Sequence, residues 1–161
     1  GDAVALVGWD GPPSLAASEL AKLRGEALPD GLAPIDVPQV VAVLDAVRAA
    51  VRAGTVTSVH DIAEGGLLVA VAECCLAGAT GAALDLGDSD DVWTTLFGER
   101  AGGFVVSGPR AALDALATRV PVQLLGTVGG AALEVAIGSL RERWSLADLR
   151  TAHGALAPLF P

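Results

Sequence analysis

Apolar and polar positions alternate in short bursts along this chain, and the period changes from burst to burst. Ala3–Val7 is a continuous apolar run bounded by the Gly8-Trp9-Asp10-Gly11-Pro12-Pro13 turn, which predicts a short buried strand. Ser14–Leu23 is expected to be a helix with Ser14 as its cap and Gly25 as its stop. Residues 26–37 show no period and carry Pro, Gly and Asp, so they are read as an extended connection. Val40, Val41, Val43, Leu44, Val47 and Val51 then recur at helical spacing, in a helix that closes at Gly54.

The remainder continues in the same manner. Strands are predicted at Val56–Val59, Ala82–Leu86, Phe104–Ser107, Val122–Val128 and Ala132–Ile137. Helices are predicted from about Gly65 to Leu76, at Asp90–Leu96 and at Arg110–Thr118, and Ser145 caps a last helix with a Pro- and Ala-rich tail. Gly129–Gly130 is the kind of two-residue turn that joins adjacent strands, so Val122–Val128 and Ala132–Ile137 are expected to form a hairpin. A hairpin and short loops set among helices point to an α+β fold, a mixed β-sheet with helices packed on one face. No internal repeat and no long linker divides the chain, so residues 1–161 are read as a single domain.

Composition narrows the functional classes. A 52% hydrophobic content with 18% charged residues describes a packed globular protein. No apolar run is long enough to span a bilayer and the first residues lack a basic leader, so neither a membrane span nor a signal peptide is expected. A formal net charge of -9 and the lack of Lys/Arg clusters argue against nucleic-acid binding. Cys74 and Cys75 are adjacent on a predicted helix, where their side chains diverge, which suits free thiols and a cytoplasmic location. The chain opens directly on a strand, so it is expected to be a piece of a longer protein.

Candidate chemistry concentrates at one junction. In Ser-Val-His-Asp-Ile-Ala-Glu-Gly-Gly-Leu, residues 58–67, a strand gives way to a helix through His60, Asp61, Glu64, Gly65 and Gly66. Helix-start amides favour an anion, and a carboxylate just ahead of them suits Mg²⁺ bridging to phosphate. A cap at Asp61 and glycines that merely permit close packing explain the same residues. Glu99 and Arg100, in a glycine-flanked loop before a buried strand, are either ligand contacts or a solvated turn. Asp85 and Gly87–Asp91 form an acidic patch without the spacing of a calcium loop, better explained as a helix cap. His153 has no metal-type ligand near it in sequence, and Gly126–Gly130 lacks the context of a dinucleotide loop.

Taken in order, Gly1–Gly8, Leu15–Gly25, Ser58–Gly78 and Leu96–Ser107 resemble the C-terminal domain of the synthetase subunit of phosphoribosylformylglycinamidine synthase, in the aminoimidazole ribonucleotide synthetase superfamily. The resemblance implies an ATP- and Mg²⁺-dependent ligase that converts formylglycinamide ribonucleotide to the amidine in purine synthesis. It also implies that this domain is inactive alone and supplies no catalytic residue. Its implied partners are the N-terminal barrel domains of the same synthetase, a glutaminase subunit and a small bridging subunit. Asp61 matches a Mg²⁺ ligand at a second nucleotide site, with Ala63, Gly65 and Gly66 bordering the ATP or ADP. Ala63 stands where the family has a serine, Ala16-Ala17 where it has two glycines, and Glu99-Arg100-Ala101 where a related copy has a Glu-Ser-Gln substrate loop. These departures imply a weakened site. The alternatives are the matching domain of a thiamine-monophosphate kinase, a selenophosphate synthetase or a hydrogenase maturation factor, or a noncatalytic scaffold.

Overall fold

The computed structural model describes residues 1–155. Its elements in chain order are β1 (Ala3–Val7), α1 (Glu19–Leu23), α2 (Val37–Arg52), β2 (Ser58–Asp61), α3 (Gly66–Gly78), β3 (Ala82–Asp85), α4 (Val92–Phe97), β4 (Phe104–Gly108), α5 (Arg110–Ala117), β5 (Val122–Val128), β6 (Ala132–Ile137), β7 (Leu140–Ser145) and α6 (Leu146–Gly154). The Pro- and Ala-rich tail expected after the last helix falls largely outside the described residues.

The strands form one mixed sheet in the order β2-β4-β1-β5-β3-β6-β7. Every neighbouring pair is antiparallel except β3 with β6. The α+β class and the mixed sheet agree with the sequence reading, but the helices do not keep to one face. Alternate residues of β1 point to opposite sides. Val4 and Leu6 join a core with Leu67, Ala70, Val71 and Cys75 of α3. Ala5 and Val7 join a second core with Val43, Ala46 and Val47 of α2 and with Leu113 and Leu116 of α5. A central strand that is apolar at every position needs cover on both faces, and α2 with α5 supplies the second layer.

Three further expectations change. The expected hairpin between β5 and β6 does not form, because β3 lies between them, antiparallel to β5 and parallel to β6. The Gly129–Gly130 turn is spent on that insertion: Gly129 N–H donates to Gly81 O and Gly81 N–H to Gly130 O. The hairpin instead joins β6 to β7, a strand the apolar pattern does not announce. Finally, α1 is capped by Ser18, whose Oγ accepts from Ala21 N, and not by Ser14. Ser14 makes an isolated bridge to Glu99 through two backbone hydrogen bonds of 2.9 and 3.1 Å.

Candidate functional site

The junction between β2 and α3 is built from the edge of the sheet. Among the described residues β2 pairs only with β4, and Asp61 ends it opposite Phe104. The Asp61 carboxylate is 70% exposed, with Oδ1 3.7 Å from His60 Nδ1. His60 Nδ1 lies 2.6 Å from Asp61 O, and its Nε2 is 3.4 Å from a Glu73 carboxylate oxygen. Among the described residues no three His, Cys, Asp or Glu side chains converge as a metal cage. Mg²⁺ is usually held by one or two carboxylates with water and substrate phosphate. A single outward-facing carboxylate therefore fits as one ligand of a shared ion.

The start of α3 is not bare. Gly65 is its cap, at φ +85°, and the Gly65 N–H donates to Glu99 Oε1 at 2.9 Å. The same oxygen accepts from Glu19 N, the first residue of α1, at 2.8 Å. Glu99 is thus the anion that two helix starts face, a half-buried carboxylate with one oxygen held by backbone N–H groups. Gly66, at φ +72°, has a local reason as well: a Cβ there would stand 2.7 Å from Phe97 C and Gly98 O. Arg100 is also engaged, with Nη2 2.8 Å from Asp10 Oδ1 and Nη1 3.4 Å from Pro12 O.

Beside these contacts lies a cleft of about 670 Å³. Ala63, Glu64, Glu99 and Arg100 line it, together with Ala16–Ala17 and residues 31–36. Asp61, Gly65 and Gly66 are not on its wall, so the structure brings Ala63, Glu99 and Arg100 together and leaves the proposed metal ligand outside. Gln39 was not expected here; it lines the cleft and donates from Nε2 to Gly8 O at 3.4 Å. Nothing in its sequence context singles it out, since α2 carries Asp45, Arg48 and Arg52 as well. Ala17 adopts φ +61°, a left-handed conformation that glycine takes without strain.

The remaining candidates are structural. Asp91, in the acidic patch, caps α4 by accepting from Thr94 N at 3.0 Å, and its side-chain hydrogen bond from Thr94 holds the carboxyl below its ordinary range. Burial raises the Cys74 thiol despite a hydrogen bond with Ser58, and burial with the neighbouring Cys74 pushes Cys75 up to about 11. Both cysteines are free. Among the described residues no helix is long and apolar enough to cross a membrane.

Residues 1–138 match the model of the family described as AIR synthase related protein, C-terminal domain. The chain is 37% identical, over 99% of its length, to phosphoribosylformylglycinamidine synthase subunit PurL of Brucella ovis, and equally so to that of Brucella suis. It spans 22% of the length of those curated relatives. Among solved structures it is similar to Thermotoga maritima PurL complexed with FGAR, with a TM-score of 0.73 at 17% identity, covering 92% of this chain and 28% of that one. The hydrogenase maturation protein HypE gives a TM-score of 0.57 at 15% identity, covering 91% and 52%. Below 25% identity these structural likenesses speak for the fold, which they share with the seven-stranded mixed sheet described above. With the family model matched from Gly1 across both core layers, the chain belongs to the family of AIR synthase related proteins, as a C-terminal domain.

Proposed function

We propose that this chain is the C-terminal domain of a phosphoribosylformylglycinamidine synthase. That enzyme is the ATP-dependent ligase that turns formylglycinamide ribonucleotide into formylglycinamidine ribonucleotide in purine synthesis. The carrying observation is the 37% identity to curated subunits of that name along 99% of this chain. The chain alone is inactive in this reading, because the N-terminal barrel domains of the same synthetase hold the reacting groups. A glutaminase subunit and a small bridging subunit complete the assembly, in the cytoplasm.

Asp61 is the ligand this domain offers to Mg²⁺, with the other ligands supplied from outside it. A bound Mg²⁺ would neutralise and bridge phosphate oxygens of ATP or ADP. Ala63 borders the nucleotide without a hydroxyl to bond it. Gly65 and Gly66 serve indirectly, by letting the 97–99 backbone close against α3. Glu99 and Arg100 shape the cleft and leave substrate recognition to other parts of the enzyme.

The test uses the complete synthetase. ATP- and ammonia-dependent amidine formation by the whole protein is the expected result, and its absence with folded, soluble protein sinks the reading. Asp61→Asn in that protein should lower Mg²⁺-dependent ADP binding at the second site while leaving the fold intact. Unchanged binding would remove Asp61 from the site and favour a scaffold role for this domain.

A further inference from the structure

Asp61 is the last residue of β2, an edge strand among the described residues, and its exposed carboxylate makes no close contact of its own. The direction of that carboxylate is therefore set by the backbone beneath it. Strand ends tend to open locally, but the peptide unit joining Asp61 to Ile62 is held at both of its polar groups. Ile62 N–H donates to Gly103 O at 2.8 Å. Asp61 O lies 2.6 Å from His60 Nδ1. A carbonyl oxygen only accepts, so Nδ1 carries the proton in that contact. With both groups of one planar unit bonded, the plane is fixed, and the Asp61 backbone is fixed with it.

His60 is itself braced. Its Nε2 stands 3.4 Å from Glu73 Oε2, on a helix that Leu67, Ala70, Val71 and Cys75 seat in the core. The imidazole therefore spans from α3 to the carbonyl of the neighbouring residue. A second contact, between Ser58 and Cys74, ties the same strand to the same helix. Alternation along β2 puts Ser58 and His60 on one face of the strand and leaves Asp61 on the other.

We propose that His60 is a positioning residue for Asp61: braced by Glu73, its imidazole locks the Asp61–Ile62 peptide and so aims the carboxylate that this domain offers to Mg²⁺. The inference rests on the reading of Asp61 as a Mg²⁺ ligand. Mg²⁺ demands near-ideal octahedral geometry, so a carboxylate on a loose strand end would serve it poorly. Groups that orient a metal ligand without touching the metal matter for affinity nearly as much as the ligand does. Bracing the sheet edge against α3 is a simpler role for the same imidazole. The Ser58–Cys74 contact already does that, and such a brace would not require Nδ1 to reach the Asp61 carbonyl.

The test compares His60→Ala, His60→Asn and Asp61→Asn in the full-length synthetase, by Mg²⁺-dependent ADP binding and by amide hydrogen exchange of the peptide spanning residues 58–67 without Mg²⁺ or nucleotide. His60→Ala should raise the Mg²⁺ concentration for half-maximal ADP binding by at least about tenfold, and should speed exchange in that peptide. His60→Asn places an amide N–H donor where Nδ1 stood but does not reach Glu73, so it should recover most of both. Equal losses in the two variants overturn the proposal, because the brace to Glu73 would then explain them. Unchanged exchange in His60→Ala overturns it as well. An unchanged Mg²⁺ requirement in His60→Ala beside a raised one in Asp61→Asn overturns the positioning role and leaves the ligand reading standing. An unchanged requirement in both overturns the ligand reading, and the positioning role with it. Should His60→Ala not fold, His60→Leu keeps bulk without a donor and must show the same loss.

Discussion

Gly65 and Glu99 are 34 positions apart in sequence and joined by one hydrogen bond, from the backbone N–H of the α3 cap to a carboxylate oxygen that also serves α1. Two helix starts therefore share a single internal anion. Replacing it by Glu99→Ala leaves both N–H groups without their acceptor. The expected loss is about 1–3 kcal/mol in urea unfolding, with Glu99→Gln losing less because an amide oxygen still accepts. Equal stability of all three proteins would mean that water replaces the carboxylate freely.

Gly66→Ala tests the approach of the 97–98 backbone to α3. The substitution meets a left-handed φ and a Cβ position 2.7 Å from main-chain atoms, which cannot move as a side chain can. A destabilisation of more than about 2 kcal/mol is expected from strain and overpacking together. Ala17→Gly should act in the opposite direction. It relieves a left-handed alanine but adds freedom to the unfolded chain, for a net gain of about 0.5 kcal/mol in the same assay.

How much of this was legible in the sequence depended on where the apolar side chains go. β1 and β6 carry enough buried residues for their bounds to be read directly, β5 shows its apolar run although only Leu125 of it is buried, and the buried face of α2 set its period. β7, Leu-Arg-Glu-Arg-Trp-Ser, lies at the sheet edge with its middle exposed, so no apolar alternation announces it. The insertion of β3 beside β6 was hidden because a Gly-Gly turn reports only local geometry. Its partner there is Gly81, some fifty residues earlier. At the site, a carboxylate followed by two glycines reads equally as ligand or packing from sequence alone. The contacts of Glu99 and of the 97–98 backbone give Gly65 and Gly66 a packing reason that the sequence does not display.

Asp61→Ala should be nearly silent for this domain's own stability, within about 0.5 kcal/mol, because the side chain is exposed and makes no close contact. Equilibrium unfolding measures this. A large loss would reveal a structural role for the carboxylate and weaken its assignment as a ligand held open for another domain.

The cysteines give a pH dependence with a definite sign. A thiol whose folded pKa is raised favours the folded state while protonated, so its contribution is complete below the unfolded value of about 9. It is lost as pH climbs toward about 11 for Cys75, with Cys74 acting in the same direction. Unfolding midpoints should therefore fall more steeply between pH 9 and 11 in the parent than in Cys75→Ala. Parallel curves would show that the thiol titrates normally.

The sheet order also dictates when this domain can assemble. β1 is paired on one side with β4 and on the other with β5, so Ala3 meets Gly108 and Thr127. This domain's first strand is thus one that most of the domain must be present to flank, while among the described residues the only short-range hairpin, β6 with β7, sits at the far edge. Closing such long loops before their contacts repay the cost makes folding slow, and leaves an apolar strand waiting for its neighbours during synthesis.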